Sequence, residues 1–244
     1  MKEIYLKELR SFFSSMIGYV VLLAFLVMSG ILLWVLPDTS ILEYGYASLD
    51  QFFRIAPWLL LFLIPAVTMR SFSDEYKGGT IEWLYTKPIS SLQIIAGKYL
   101  AALTLVIIGI LPTLIYLFSI VWLSADGAAL DTGGIIGSYI GLIFLCGAFT
   151  GIGIFCSAIT DSQIVSFIIA LILCYILYSG FEALSRITSF AGGADYYLEM
   201  IGVDYHYRNM SRGVIGFRNV VYFLSLIFLF FLLTRAMLQR KREM

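Results

Sequence analysis

The chain has 244 residues, 60% of them hydrophobic and 13% charged, with a formal net charge of zero and a mean hydropathy of +0.91. Soluble domains are about half apolar and a quarter charged, so the composition excludes one and indicates a polytopic membrane protein. Zero net charge gives a nucleic-acid partner no electrostatic support.

Residues 2–14 precede the first apolar run. Tyr5, Leu9, Phe12, Phe13 and Met16 recur at helical spacing, and Glu3 and Lys7 are spaced as an i,i+4 pair. The pattern predicts an interfacial amphipathic helix over residues 1–14, with Lys2, Lys7 and Arg10 toward the headgroups. Span 1 is expected over residues 15–36 and is closed by Pro37-Asp38. It follows a charged segment, exceeds a signal-peptide core and has no A-x-A site after it, so it reads as a retained signal anchor. Span 2, residues 52–69, carries Pro57 near its start and Pro65 near its end. A proline in a span frees a carbonyl and bends the helix.

Residues 70–98, RSFSDEYKGGTIEWLYTKPISSLQIIAGK, form the longest charged interruption between apolar runs. Gly78-Gly79 breaks the chain, and Thr80 is expected to cap a short helix, IEWLYT, closed by Lys87-Pro88. Ile81, Leu84 and Tyr85 share one face of that helix, with Trp83 beside them and Glu75 and Glu82 adding acid. Ser90 and Gln93 form a capping box for the next helix. A helix lying on lipid is rich in Lys or Arg, whereas this one has acids within it, which favours a protein partner.

Span 3 is expected over residues 94–123, with Lys98 in first turns that stand in the cytoplasm and a kink at Pro112. After an acidic loop, span 4 covers residues 135–159, where Gly137, Gly141, Gly147, Gly151 and Gly153 let helices approach closely. A tight turn leads to span 5, residues 164–184. Residues 185–218 are polar and tyrosine-rich and are expected to hold one or two short helices. Tyr196, Tyr197, Tyr205 and Tyr207 suit the membrane interface and are candidates for an external gate. Span 6 covers residues 219–234, and a basic tail follows.

Six spans put both termini on one side, and the positive-inside rule chooses it. Eleven basic residues lie with the termini and the 70–98 loop, against five (Arg54, Arg186, Arg208, Arg212 and Arg218) opposite. The termini and loop are therefore expected in the cytoplasm, with residues 185–218 outside. Cys146, Cys156 and Cys174 lie in apolar runs without C-x-x-C spacing and read as packing residues, neither disulfides nor metal ligands. P-loop and H-E-x-x-H motifs are absent. His206 reads as a polar surface residue, and Glu182, within a turn of the outer end of span 5, reads equally as a functional intramembrane acid and as a carboxylate at the water boundary. No nucleophile stands with a base, which disfavours an enzyme.

The run R-S-F-S-D-E-x-x-x-G-T-I-E-x-L-x-T-K-P-I-S from Arg70 to Ser90 resembles the first cytoplasmic loop of ABC-2 type exporter permeases. It is most similar to the gliding-motility-associated permease subunit (GldF type) of Bacteroidetes. FFSSMIGYVV from Phe12, APWLLLFLIPAVTMR from Ala56, SAITDSQIVSFIIA from Ser157 and RGVIGFRNVVYFLS from Arg212 also resemble that branch. In the last stretch the branch has an acid at Gly216 and often at Asn219, and this chain has neither.

The resemblance implies an all-α permease of six transmembrane helices forming a single domain over residues 1–244. It implies an N-terminal interfacial helix and short external helices between spans 5 and 6. It also implies a cytoplasmic coupling helix in residues 70–93, resting on a separate ATPase subunit that binds the ATP and Mg, so that this chain needs no cofactor of its own. Phe72, Glu75, Gly79, Thr80, Ile81, Glu82, Leu84, Tyr85 and Pro88 are the residues expected to couple to that ATPase. A second permease chain, a related gliding-type subunit or a second copy, and the lipid of a bacterial inner membrane are the other expected partners. The alternative is a mechanical or scaffolding subunit of an envelope machine across which nothing is transported.

Overall fold

The computed structural model describes residues 1–41, 48–82, 89–124, 131–186 and 194–243, and all regular structure among them is helical. The helices are α1 Lys2–Phe13, α2 Met16–Trp34, α3 Asp50–Thr68, α4 Ser73–Lys77, α5 Ser91–Ile110, α6 Leu114–Leu123, α7 Thr132–Ile159, α8 Gln163–Tyr175, α9 Phe181–Ser185, α10 Ala194–Ile201, α11 Val203–Ser211 and α12 Phe217–Glu243. Five helical segments are long and apolar enough to cross a membrane, and a sixth is made by α1 and α2 together, bent by 70°. The chain is an all-helical polytopic membrane protein.

The bend between α1 and α2 falls where the polar Ser14-Ser15 pair interrupts the helix. At Pro112 a 3₁₀ turn, Leu111–Thr113, joins α5 to α6, as the missing amide requires. The capping box at Ser90 and Gln93 forms in both directions at the start of α5. Span 5 holds a feature its composition does not announce, a π turn at Ile176–Gly180 between α8 and α9. Span 6 runs on as one helix through the basic tail.

The bundle is built around α7. In its most apolar window 78% is buried, against 17% for α12, so most of α12 is left on the outside of the bundle while α7 is largely enclosed by protein. Its glycines make that possible. A Cβ at Gly137 would lie 2.6 Å from the Met210 carbonyl, at the end of α11. One at Gly147 would meet Tyr99 of α5 and Ile227 of α12, and one at Gly153 would lie 2.1 Å from Thr68 Oγ1 on α3. Tyr99 also donates its hydroxyl to the Gly147 carbonyl at 3.2 Å.

One end of the bundle, the near end, gathers α1, α4, the start of α5, the α7–α8 turn and the end of α12. The far end gathers the starts of α3 and α7 with α9, α10 and α11. Pro57 leaves the carbonyl four residues before it without an amide partner. That carbonyl, of Phe53, accepts the Tyr207 hydroxyl of α11 at 2.9 Å.

Two substitutions test the glycine packing. Gly153→Ala and Gly137→Ala are each expected to cost about 1–3 kcal/mol of stability through overpacking. Thr68→Ala removes the atom that Gly153→Ala strikes and is expected to restore part of its loss. It should do nothing for Gly137→Ala, whose obstacle is backbone. The thermal midpoint of the detergent-extracted protein reads the difference.

Candidate functional site

The near end is organised around α4, five residues that follow directly from span 2. Its N-terminal amides are capped from outside: Ser157 Oγ of α7 accepts the Phe72 amide at 2.8 Å and the Ser73 amide at 3.2 Å. The same hydroxyl donates to the Met69 carbonyl at 3.1 Å. The C-terminus closes in a Schellman motif, with Thr80 N–H on the Glu75 carbonyl at 3.0 Å and Gly79 N–H on the Tyr76 carbonyl at 3.1 Å. Gly79 takes φ +64° with open space around it, so glycine is required there for conformation and not for room.

Four further contacts hold α4. Gln163 at the start of α8 hydrogen-bonds Asp74. Lys241 near the end of α12 lies 3.7 Å over the Tyr76 ring and pairs with Asp161 at 2.9 Å. Lys7 of α1 reaches Glu75 at 3.1 Å. Lys98 of α5 reaches Glu75 at 3.1 Å and Glu8 of α1 at 2.7 Å.

Lys98 is the centre of this cluster. Its side chain is 1% exposed. Besides the two carboxylates it donates to the Ser71 carbonyl at 2.5 Å and lies 5.0 Å over the Phe72 ring. A cavity of about 310 Å³ borders the cluster, with Arg70, Asp74 and Ser11 also in its wall. The second carboxylate oxygen of Glu75 is buried without a hydrogen-bond partner among the described residues.

These positions revise several expectations. Lys98 does not stand in water; it is enclosed by α1, α4 and α5. Glu75, 8% exposed, pairs with Lys7 and Lys98 of its own chain. Phe72 and Ile81 are likewise buried, at 0% and 8%, so they support the turn from beneath. Lys77, Gly78, Gly79, Thr80 and Glu82 are its exposed part. Leu84, Tyr85 and Pro88, with Trp83, lie outside the described residues. Lys7 pairs with Glu75 rather than with Glu3. The sequence also conceals α4 itself, which precedes the Gly78-Gly79 break, and the roles of Ser157, Gln163 and Lys241. A lysine within an apolar run, as in IIAGKYLAAL, was the available signal, since such a charge needs a partner.

At the far end the tyrosines divide. Tyr196 and Tyr197 are exposed, at 49% and 67%, and Tyr205 bonds Tyr196 through their hydroxyls at 3.3 Å. Tyr207 is buried at 3%, and burial raises its hydroxyl pKa, so it is a structural tie and not an interfacial ring. His206 is not a surface residue either. It is 2% exposed and stacks on Tyr222 at 3.8 Å. Its Nε2 lies 3.0 Å from the Met200 carbonyl oxygen and its Nδ1 2.8 Å from Asn219 Oδ1. Burial also lifts the Asp204 carboxyl above its ordinary range, with Arg208 opposing the shift.

A direct test of the cluster is Lys98→Met, which leaves Glu8 and Glu75 without the cation between them. The expected loss is about 3–5 kcal/mol, the usual cost of stranding buried charge. Adding Glu8→Gln and Glu75→Gln to that variant is expected to recover most of it, because a buried ionic group replaced whole is often near neutral. Thermal midpoints in detergent measure both.

In comparison with known proteins, residues 34–194 match the family described as ABC-2 family transporter protein. No curated protein matches the chain.

Proposed function

The chain belongs to the ABC-2 family of transporter proteins, and from that premise we propose that it is the permease subunit whose α4 turn receives the force of a separate ATPase. The ATPase binds and hydrolyses ATP with Mg; this chain holds neither. The observation that carries the reading is the contrast within α4. Its inner side is tied to α1, α5, α7, α8 and α12, while residues 77–80 and Glu82 are exposed. A turn held on five helices cannot move without them, so a push on it is delivered to the central α7.

In this reading the near end faces the cytoplasm of a bacterial inner membrane, as the distribution of basic residues supports, and the far end carries the external helices. The complex contains two permease chains and two ATPase chains. The second permease is a related subunit of the gliding-motility type, a reading supported by the ordered set of resemblances along the chain. Tyr196, Tyr197 and Tyr205 then form the moving surface of the external gate, with Tyr207 as its anchor.

Co-purification with the ATPase tests the docking surface. Glu82→Arg combined with Lys77→Glu reverses the sign of the charge at each of two exposed positions, at unchanged net charge and without touching the buried cluster. Losing a central contact of an interface typically costs about 2 kcal/mol or more, so ATPase recovery is expected to fall sharply while the permease still inserts. Leu224→Ala, on the lipid-facing side of α12, is expected to leave recovery unchanged. Retention of full ATPase binding by the charge-reversed turn would remove the assignment. Sidedness is read separately: in a cysteine-free background, Thr80→Cys is expected to react with an impermeant maleimide only after lysis, and Val214→Cys in intact cells.

A further inference from the structure

The far end holds a cavity of about 590 Å³ whose wall contains four arginines and four carboxylates. The charges are not all paired with one another. Arg186 is committed to Glu182 at 2.6 Å. Arg208 is committed to Asp204 at 2.6 Å, with Glu182 and Glu199 beyond it at 3.4 and 3.3 Å. That leaves Arg54 of α3 and Arg212 at the end of α11, neither of which has a carboxylate within 4 Å among the described residues. It also leaves Asp50 and Asp131. Among the described residues Asp50 accepts the Ser48 hydroxyl, at 3.1 Å, and Asp131 caps α7 by accepting the Gly134 amide at 2.9 Å. Two cations and two anions thus line one space without satisfying each other.

The cavity wall also includes a partly exposed aromatic residue. Trp58 is in its wall and is 42% exposed. Its ring packs 6.1 Å from that of Tyr175, which is 47% exposed on α8. An aromatic track therefore leads from the charged wall to the side of the bundle that lipid covers.

We propose that this cavity binds the zwitterionic headgroup of a phospholipid that carries a phosphate and a primary ammonium. Guanidinium forks match phosphate oxygens, so Arg54 and Arg212 take the phosphate. The ammonium, with three N–H donors, goes to Asp50 and Asp131. The acyl chains leave over Trp58 and Tyr175. Two of the five arginines counted on the side opposite the basic majority, for which no ion pair among the described residues accounts, thereby acquire a partner. The inference concerns a binding site and stands whether the lipid is cargo or a fixed component of the complex.

The test uses the full-length chain, delipidated in mild detergent and titrated under native mass spectrometry. Phosphatidylethanolamine is expected to bind about ten-fold more tightly than phosphatidylcholine, whose quaternary ammonium has no N–H to donate. Arg54→Gln with Arg212→Gln is expected to weaken both, and Arg54→Lys with Arg212→Lys to keep part of the binding. Asp50→Asn with Asp131→Asn retains the capping oxygen of α7 and is expected to erase the preference for ethanolamine over choline. Equal retention of the two lipids by the natural chain, or retention unaffected by the arginine pair, would overturn the site. Glycerophosphoethanolamine binding as tightly as the whole lipid would overturn the lipid assignment. No ATPase is present in the assay, so its result is separate from that of the docking test.

Discussion

A single ammonium group, that of Lys98, sets the arrangement of the near end. An ion removed from water this completely costs several kcal/mol unless its surroundings replace the hydration it lost. The replacement comes from three directions: Glu8 on α1, Glu75 on α4, and the Ser71 carbonyl at the end of span 2. Each donor–acceptor contact is short, so none of the three elements can drift by a helical turn without leaving charge uncompensated. α1 lies where it does because Glu8 must reach inward, and α4 points as it does because Glu75 must. The apolar residues that surround them supply the favourable area, and the lysine supplies the position.

The two ends of the bundle are joined through α7. At the near end Ser157 uses one hydroxyl for three hydrogen bonds that fix the entry to α4. At the far end Gly137 lets the end of α11 come into backbone contact. Between them the helix is unbroken and packed on several sides, with no proline and no π turn to absorb a displacement. Span 5, by contrast, carries its π turn next to the far-end helices α10 and α11, and π turns tend to mark functional positions. The bundle therefore has one stiff rod beside one span with a local irregularity.

Much of this was legible in the sequence. Long apolar runs, the Ser90–Gln93 box, the proline in span 3 and the glycine pairs of span 4 depend on local chemistry, and local chemistry can be read from spacing. What stayed hidden is what depends on distant partners. Glu75 and Glu82 are both acids in one polar loop, yet one is buried on Lys98 and the other is exposed, and only the fold of α1 and α5 decides which. Lys98 reads as a cytoplasmic charge when only its neighbours in sequence are considered. Tyr207 and His206 read as loop residues because a tyrosine-rich polar stretch does not declare which of its faces meets the bundle.

The contact between Tyr207 and Phe53 has a consequence for how the protein is made. The carbonyl that Pro57 leaves open is on the second span, whereas the hydroxyl that closes it comes 154 residues later. A chain threaded into the membrane from its N-terminus presents that carbonyl long before Tyr207 has been translated. Until then water at the rim of the bilayer must occupy it, which suits its place near the first turn of the span. Arrival of α11 displaces that water, so a helix synthesised late completes the hydrogen bonding of one synthesised early.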